Sequence, residues 1–91
     1  MKYSPVQNFI NGKFVDASTQ KSLEVISPLD GNLLSKVPMS SAKDLDDALK
    51  AAKAAFPVWS KTPIKERVQV FFRYKTLLER DLKELASLCS E

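Results

Sequence analysis

The stretch Phe9-Ile10-Asn11-Gly12-Lys13-Phe14-Val15 decides the first half of the fold. Asn-Gly between two short apolar runs is a strong local signal for a β-hairpin, because the tight turn needs positive φ at both central residues and these two types tolerate it. A hairpin over residues 9–15 is therefore expected. A second pair of runs, Leu23-Glu24-Val25-Ile26 and Leu33-Leu34-Ser35-Lys36-Val37, brackets Ser27-Pro28-Leu29-Asp30-Gly31-Asn32. There Pro28 has no amide hydrogen for a ladder and Asp30-Gly31 suits a turn. The polar residues 16–22 read as an exposed loop between the two pairs.

Past Ser41 the apolar period changes from strand-like to helical. Ser41 is a capping residue, with Asp44 three places on in the positive first turn. Leu45, Ala48, Leu49, Ala52, Ala55 and Phe56 then recur on one helix face, whose alanines suit close approach of another element. Pro57 is expected to end or bend this helix, and Val58-Trp59 to anchor in the core. Thr62-Pro63 reads as a cap followed by proline at the first helical position of a second helix. On that helix Ile64, Val68, Phe71, Phe72 and Leu78 form one stripe, with the Lys75 stem laid along it. Asp81 and Glu84 have capping-box spacing, so a break is expected near Arg80. A third helix follows through Leu82, Leu85, Ala86 and Cys89, with no stop signal after Cys89. The expected fold class is α+β: two short hairpins over 9–40, then about three amphipathic helices over 41–91.

Composition bounds the function. The 91 residues suffice for one small domain, and 44% apolar with 27% charged residues is ordinary globular usage. The net charge of +3 comes from 14 basic and 11 acidic residues interspersed along the chain, which does not favour nucleic acid. Asp46, Asp47, Lys50 and Lys53 alternate in sign as a solvated helix face does. The basic residues Lys61, Lys65, Arg67, Arg73, Lys75 and Arg80 are interrupted by Glu66 and Glu79, and the turn before them lacks the glycine of a helix-turn-helix. No apolar run has the length of a membrane span and no signal-peptide core follows Met1, so a cytoplasmic protein is expected. The lone Cys89 agrees with that compartment.

Catalytic motifs are absent. With no histidine, serine- and cysteine-histidine pairs and histidine metal sites are excluded. Gly12 and Gly31 are the only glycines, both in expected turns, so no phosphate-cradling loop or dinucleotide fingerprint is present. Asp46 and Asp47 point about 100° apart on a helix and do not converge. Cys89 has no base beside it and reads as a buried thiol among leucines.

Four stretches carry a family resemblance. Phe9 to Val15 resembles the "F-I-N-G-x-[WF]-V" opening of the NAD(P)-dependent aldehyde dehydrogenases. Val25-Ile26-Ser27-Pro28-Leu29-Asp30-Gly31 is similar to their "V-x-N-P-x-T-G" turn, with Ser27 for asparagine and Asp30 for threonine. Ala51-Ala52-Lys53-Ala54-Ala55-Phe56-Pro57-Val58-Trp59 resembles "A-A-x-A-A-F-x-x-W", followed by a matching Arg67, and Leu85-Ala86 resembles part of "E-L-A". Trp59-Ser60, Phe71-Phe72-Arg73-Tyr74 and Leu82-Lys83-Glu84-Leu85-Ala86 look most like the methylmalonate-semialdehyde branch.

This resemblance implies that residues 1–91 form the amino-terminal part of the cofactor-binding domain of a longer oxidoreductase. Such an enzyme oxidises an aldehyde, in this branch malonate or methylmalonate semialdehyde, through a cysteine thiohemiacetal. NAD is its cofactor, coenzyme A resolves the thioester, and the enzyme is a homo-oligomer. The family's catalytic cysteine, glutamate, cofactor-contacting lysine and glycine turn have no counterpart here. No catalytic, cofactor-binding or metal-binding residue is therefore assigned, Cys89 included, and the chain alone is expected to be inactive and to bind no cofactor. In some members backbone carbonyls at the place of Val25 and Ile26 join a monovalent-cation site, whose other ligands this chain lacks. Without further polypeptide the chain should leave Trp59, Phe71, Phe72 and the alanine face short of partners, to be covered by self-association. The alternative is a short non-catalytic α+β interaction or oligomerisation module using the same surface.

Overall fold

The computed structural model describes all residues from Met1 to Glu91. Asn11 and Gly12 take φ of 53° and 76°, the paired positive values of a tight type I′ hairpin turn. That turn joins β1 (Asn8–Ile10) to β2 (Lys13–Val15) in antiparallel register, with Phe9 opposite Phe14. Their rings meet at 5.0 Å between centroids, tilted by 56°, a favoured aromatic geometry.

The second hairpin pairs β3 (Ser22–Ile26) with β4 (Leu33–Pro38). Its connection is held by backbone bonds from Ser27 N–H to the Asn32 carbonyl and from Gly31 N–H to the Ser27 carbonyl, both 2.9 Å. The Asp30 carboxylate accepts from the Asn32 amide at 3.0 Å, and Gly31 supplies a φ of 76°. An amino-terminal arm, which the sequence does not announce, runs along the other side of β4. Lys2, Tyr3 and Val6 donate their amides to the carbonyls of Leu33, Leu34 and Lys36. Ser35, buried, fixes the arm by donating Oγ–H to the Ser4 carbonyl at 2.8 Å.

Helix α1 spans Ala42–Lys61, α2 Ile64–Arg80 and α3 Leu82–Cys89. Two compact units result, Met1–Ala55 and Phe56–Glu91. The border falls beside Pro57, and of the two outcomes expected there, an end or a bend, the end does not occur, since α1 continues through it. Proline's fixed φ is itself helical, and only the one N–H bond to the turn before is lost. The capping of α2 also differs. Pro63 sits at the N-cap itself, with ψ 143°, and its carbonyl accepts from the Glu66 and Arg67 amides at 3.0 Å. Thr62 instead closes the end of α1, its Oγ–H donating to the Val58 carbonyl at 2.9 Å. Asp81 does stand at the break between α2 and α3, but it makes no side-chain cap. Its carboxylate is taken by the Arg80 guanidinium through two 3.0 Å bonds.

No apolar side chain is buried. Trp59, read as a core anchor, is 43% exposed, and Phe71 and Phe72 are 66% and 58% exposed. The Lys75 side chain points to Glu79 in an exposed ion pair of 3.1 Å and leaves the apolar stripe bare. Cys89, expected buried, is an exposed free thiol. One cause accounts for these departures: an amphipathic face is buried only where another element covers it. No helix of the chain is long and apolar enough to cross a membrane.

Candidate functional site

The chain's one buried charge, Asp44, organises the first unit and is 7% exposed. It lies at the third position of α1, where its Oδ2 accepts from the Ser41 amide at 2.8 Å while its own amide donates to Ser41 Oγ at 3.3 Å. This reciprocal pair is a capping box with aspartate in the glutamate's place. The same carboxylate also reaches 26 residues back, accepting the Ser18 amide at 3.0 Å on Oδ1 and 3.2 Å on Oδ2. Ser18 Oγ and Ser41 Oγ lie 2.6 Å apart. Thus the segment read as an exposed loop is also clasped to the start of α1. Asx and serine capping signals are local and legible; the long-range acceptor role of Asp44 is not.

The clasp has an electrostatic signature. The Ser41 amide, and then Ser18, hold the Asp44 carboxyl below its ordinary 3.8 against the opposing effect of desolvation. A carboxylate so depressed, with its oxygens already committed to donors, is a poor proton acceptor near neutrality. Asp44 is a structural acceptor here, not a general base.

Beside it, an open groove of about 470 Å³ is lined by Phe9, Ile10, Ser40, Ser41, Leu45 and Ala48, among others. Asn8 spans it by donating from Nδ2 to Ser40 Oγ at 3.0 Å. A neighbouring groove of about 340 Å³ runs between the Asn11-Gly12 turn and Ala48, Ala51, Ala52 and Ala55. The first groove also carries the polar Asn8, Ser40, Ser41 and Asp44, whereas the second has an alanine floor with Asn11 as its one polar side chain, which suits packing of another element better than recognition of a small molecule.

The other residues weighed from sequence are dispersed. Asp46 pairs with Lys50 and Asp47 with Lys43, each at 3.0 Å on exposed side chains, so the adjacent carboxylates serve separate surface pairs. Arg67 donates its Nε–H to the Thr62 carbonyl at 3.0 Å and braces the α1–α2 connection. The hairpin register shifts between Val25 and Ile26. No group of three or more histidine, cysteine, aspartate or glutamate side chains is gathered for a metal. Both glycines have open space where a side chain would project. Their role is the positive-φ turn, not a close approach to phosphate, so the residues present do not fit a dinucleotide.

The model of the aldehyde dehydrogenase family matches residues 14–91. The chain belongs to the aldehyde dehydrogenase family. Among its relatives, the malonate-semialdehyde dehydrogenase of Lacticaseibacillus casei is 42% identical over 86 residues, covering 94% of this chain and 18% of that protein. A Sinorhizobium meliloti protein whose crystal structure was solved with NAD superposes with a TM-score of 0.91 at 33% identity, over 99% of this chain and 18% of that one. The methylmalonate-semialdehyde dehydrogenase of Oceanimonas doudoroffii gives a TM-score of 0.87 at 34% identity, over 94% and 17%. The chain therefore spans under a fifth of the length of these aldehyde dehydrogenase relatives. The strand pairs and helices expected from the resemblance are the elements these family structures share.

Proposed function

We propose that residues 1–91 are the amino-terminal part of the cofactor-binding domain of a semialdehyde dehydrogenase, with a hairpin region over 9–40 and a helical region over 41–91. The family match over 14–91, with relatives named as malonate-semialdehyde dehydrogenases, carries this reading. The whole enzyme oxidises malonate or methylmalonate semialdehyde with NAD as hydride acceptor and coenzyme A as acyl acceptor, and works as a cytoplasmic homo-oligomer. A relative named for the acylating reaction supports the coenzyme A step, though that one is mitochondrial.

In this reading the chain's own residues do not touch the reacting atoms. The Asp44 clasp fixes the loop between the hairpins to the start of α1, Arg67 fixes the helical connection, and the alanine and phenylalanine faces receive the rest of the domain. The test is the protein isolated from its own source. The expected result is a mass several times 10.2 kDa and NADH formation with malonate semialdehyde that requires coenzyme A. A 10.2 kDa species without dehydrogenase activity would sink the proposal in favour of a non-catalytic interaction module.

A further inference from the structure

Each glycine of the chain follows a side chain that can close a ring on it, in the pairs Asn11-Gly12 and Asp30-Gly31. The backbone nitrogen of the glycine attacks the side-chain carbonyl carbon before it, and glycine has no Cβ to crowd that nitrogen. The structure separates the two pairs. At Asp30 both reacting groups are engaged: the carboxylate accepts the Asn32 amide at 3.0 Å, and the Gly31 N–H donates to the Ser27 carbonyl at 2.9 Å. An ionised carboxylate is also a poor electrophile. At Asn11 neither group is engaged, since no hydrogen bond holds its side-chain amide or the Gly12 N–H, and both residues are exposed.

We propose that Asn11 is a site of spontaneous covalent modification, deamidation through a succinimide, whose rate is set by opening of the β1–β2 hairpin. In a type I′ turn the asparagine Cβ stands nearly opposite the next nitrogen across the Cα–C bond, so the ring closes only from the open hairpin. With three residue pairs, that hairpin opens readily. The Gly12 nitrogen loses its proton to hydroxide and attacks Asn11 Cγ. The N–Cγ bond forms, the Cγ–Nδ2 bond breaks, and ammonia leaves. Water then opens the ring at either carbonyl. Opening at Cγ leaves aspartate, which tolerates the φ of 53° as asparagine does. Opening at the backbone carbonyl leaves an isoaspartyl link, with an extra methylene in the main chain. A two-residue turn cannot absorb that atom, so Phe9 and Phe14 lose their register. Either product places a new carboxylate at the rim of the alanine groove.

The test incubates the 91-residue chain in warm, mildly alkaline buffer and follows each residue by peptide mass mapping, with isoaspartyl groups counted by enzymatic carboxyl methylation. Asn11 should convert at least about tenfold faster than Asn8 or Asn32, which precede Phe9 and Leu33. Both aspartyl and isoaspartyl products are expected there, with no isoaspartate at Asp30. Phe14→Ala removes the ring contact that helps close the hairpin and should raise the rate about threefold. Asn11→Gln, one methylene longer, should abolish the mark. Equal conversion at the three asparagines overturns the proposal, as does isoaspartate at Asp30 to the same extent. So does an Asn11 that stays intact in the folded chain while the same chain in urea converts. A Phe14→Ala rate no faster than that of the unaltered chain overturns the control by hairpin opening.

Discussion

Met1–Ala55 and Phe56–Glu91 reach their conformations by different routes. The first unit is tied together across sequence by polar groups. Asp44 holds Ser18, Asn8 holds Ser40, Ser35 holds Ser4, and Gln7 donates to Asp16 at 2.8 Å. The side-chain bonds seen in the second unit, such as Arg67 to Thr62 and Arg80 to Asp81, link near neighbours. Its apolar stripe is presented outward. Polar clasps thus specify a local arrangement without a core, whereas an amphipathic helix pair specifies only its own backbone and leaves its packing to whatever covers it.

The strongest way to break this contrast is Asp44→Ala. It removes the acceptor shared by the Ser18 and Ser41 amides, and should lower the melting temperature more than loss of either serine while abolishing exchange protection of the Ser18 amide. Equal loss of protection across α2 would show that the two units are not independently specified. Gly12→Val forces a β-branched residue to the φ of 76° and should cost about 1–2 kcal/mol, read as a lower urea midpoint with loss of the β1–β2 amide pattern. Ser41→Ala keeps the carboxylate but loses the hydroxyl cap. About 1 kcal/mol is expected. In the second unit, Phe71→Ser should change the unfolding free energy from urea titration by less than about 0.5 kcal/mol while reducing self-association in sedimentation, the reverse of a core substitution. Smallest is Lys75→Ala, which loses an exposed pair with Glu79 worth roughly 0.3 kcal/mol.

Acid sharpens the same comparison. Asp44 and Asp30 are both held below their ordinary 3.8, chiefly by the backbone amides of Ser41 and Asn32 respectively. The folded first unit binds these protons less tightly than the unfolded chain. Their contribution is therefore complete above about pH 5 and is lost progressively as the pH falls through 3.8 and then through the depressed values. The Ser18 and Asn32 amide resonances should each titrate below 3.8, following Asp44 and Asp30 respectively. Amides that titrate at or above 3.8 would contradict the clasp.

Both hairpins and all three helices were legible in the sequence, since Asn11-Gly12, Asp30-Gly31 and Ser41 act over a few residues and the helical period is a local property. What remained hidden depended on distance or on cover. The arm beside β4 carries no apolar pattern, and nothing local marks Asp44 as the acceptor for Ser18. Cys89 was misplaced because hydrophobicity states a preference for burial, not the presence of a neighbour, whereas the exposure of Trp59, Phe71 and Phe72 is what the reading of a chain short of partners expected. Of the two outcomes expected at Pro57, an end or a bend, the end failed because a helix tolerates one missing donor. The lack of a dinucleotide loop or histidine pair was legible directly, while the family match came from ordered short motifs and not from any site chemistry.

The arm that lines β4 has one more consequence. With β3 on one side and residues 2–6 on the other, β4 is the inner strand of the set, and the outward backbone edge belongs to β3. Its five residues are all exposed, and Leu23, Val25 and Ile26 give that rim the character of a template for further strand addition. Glu24 is the only charge along it. A single carboxylate, Glu24, is then the feature of this rim that discourages edge-to-edge pairing.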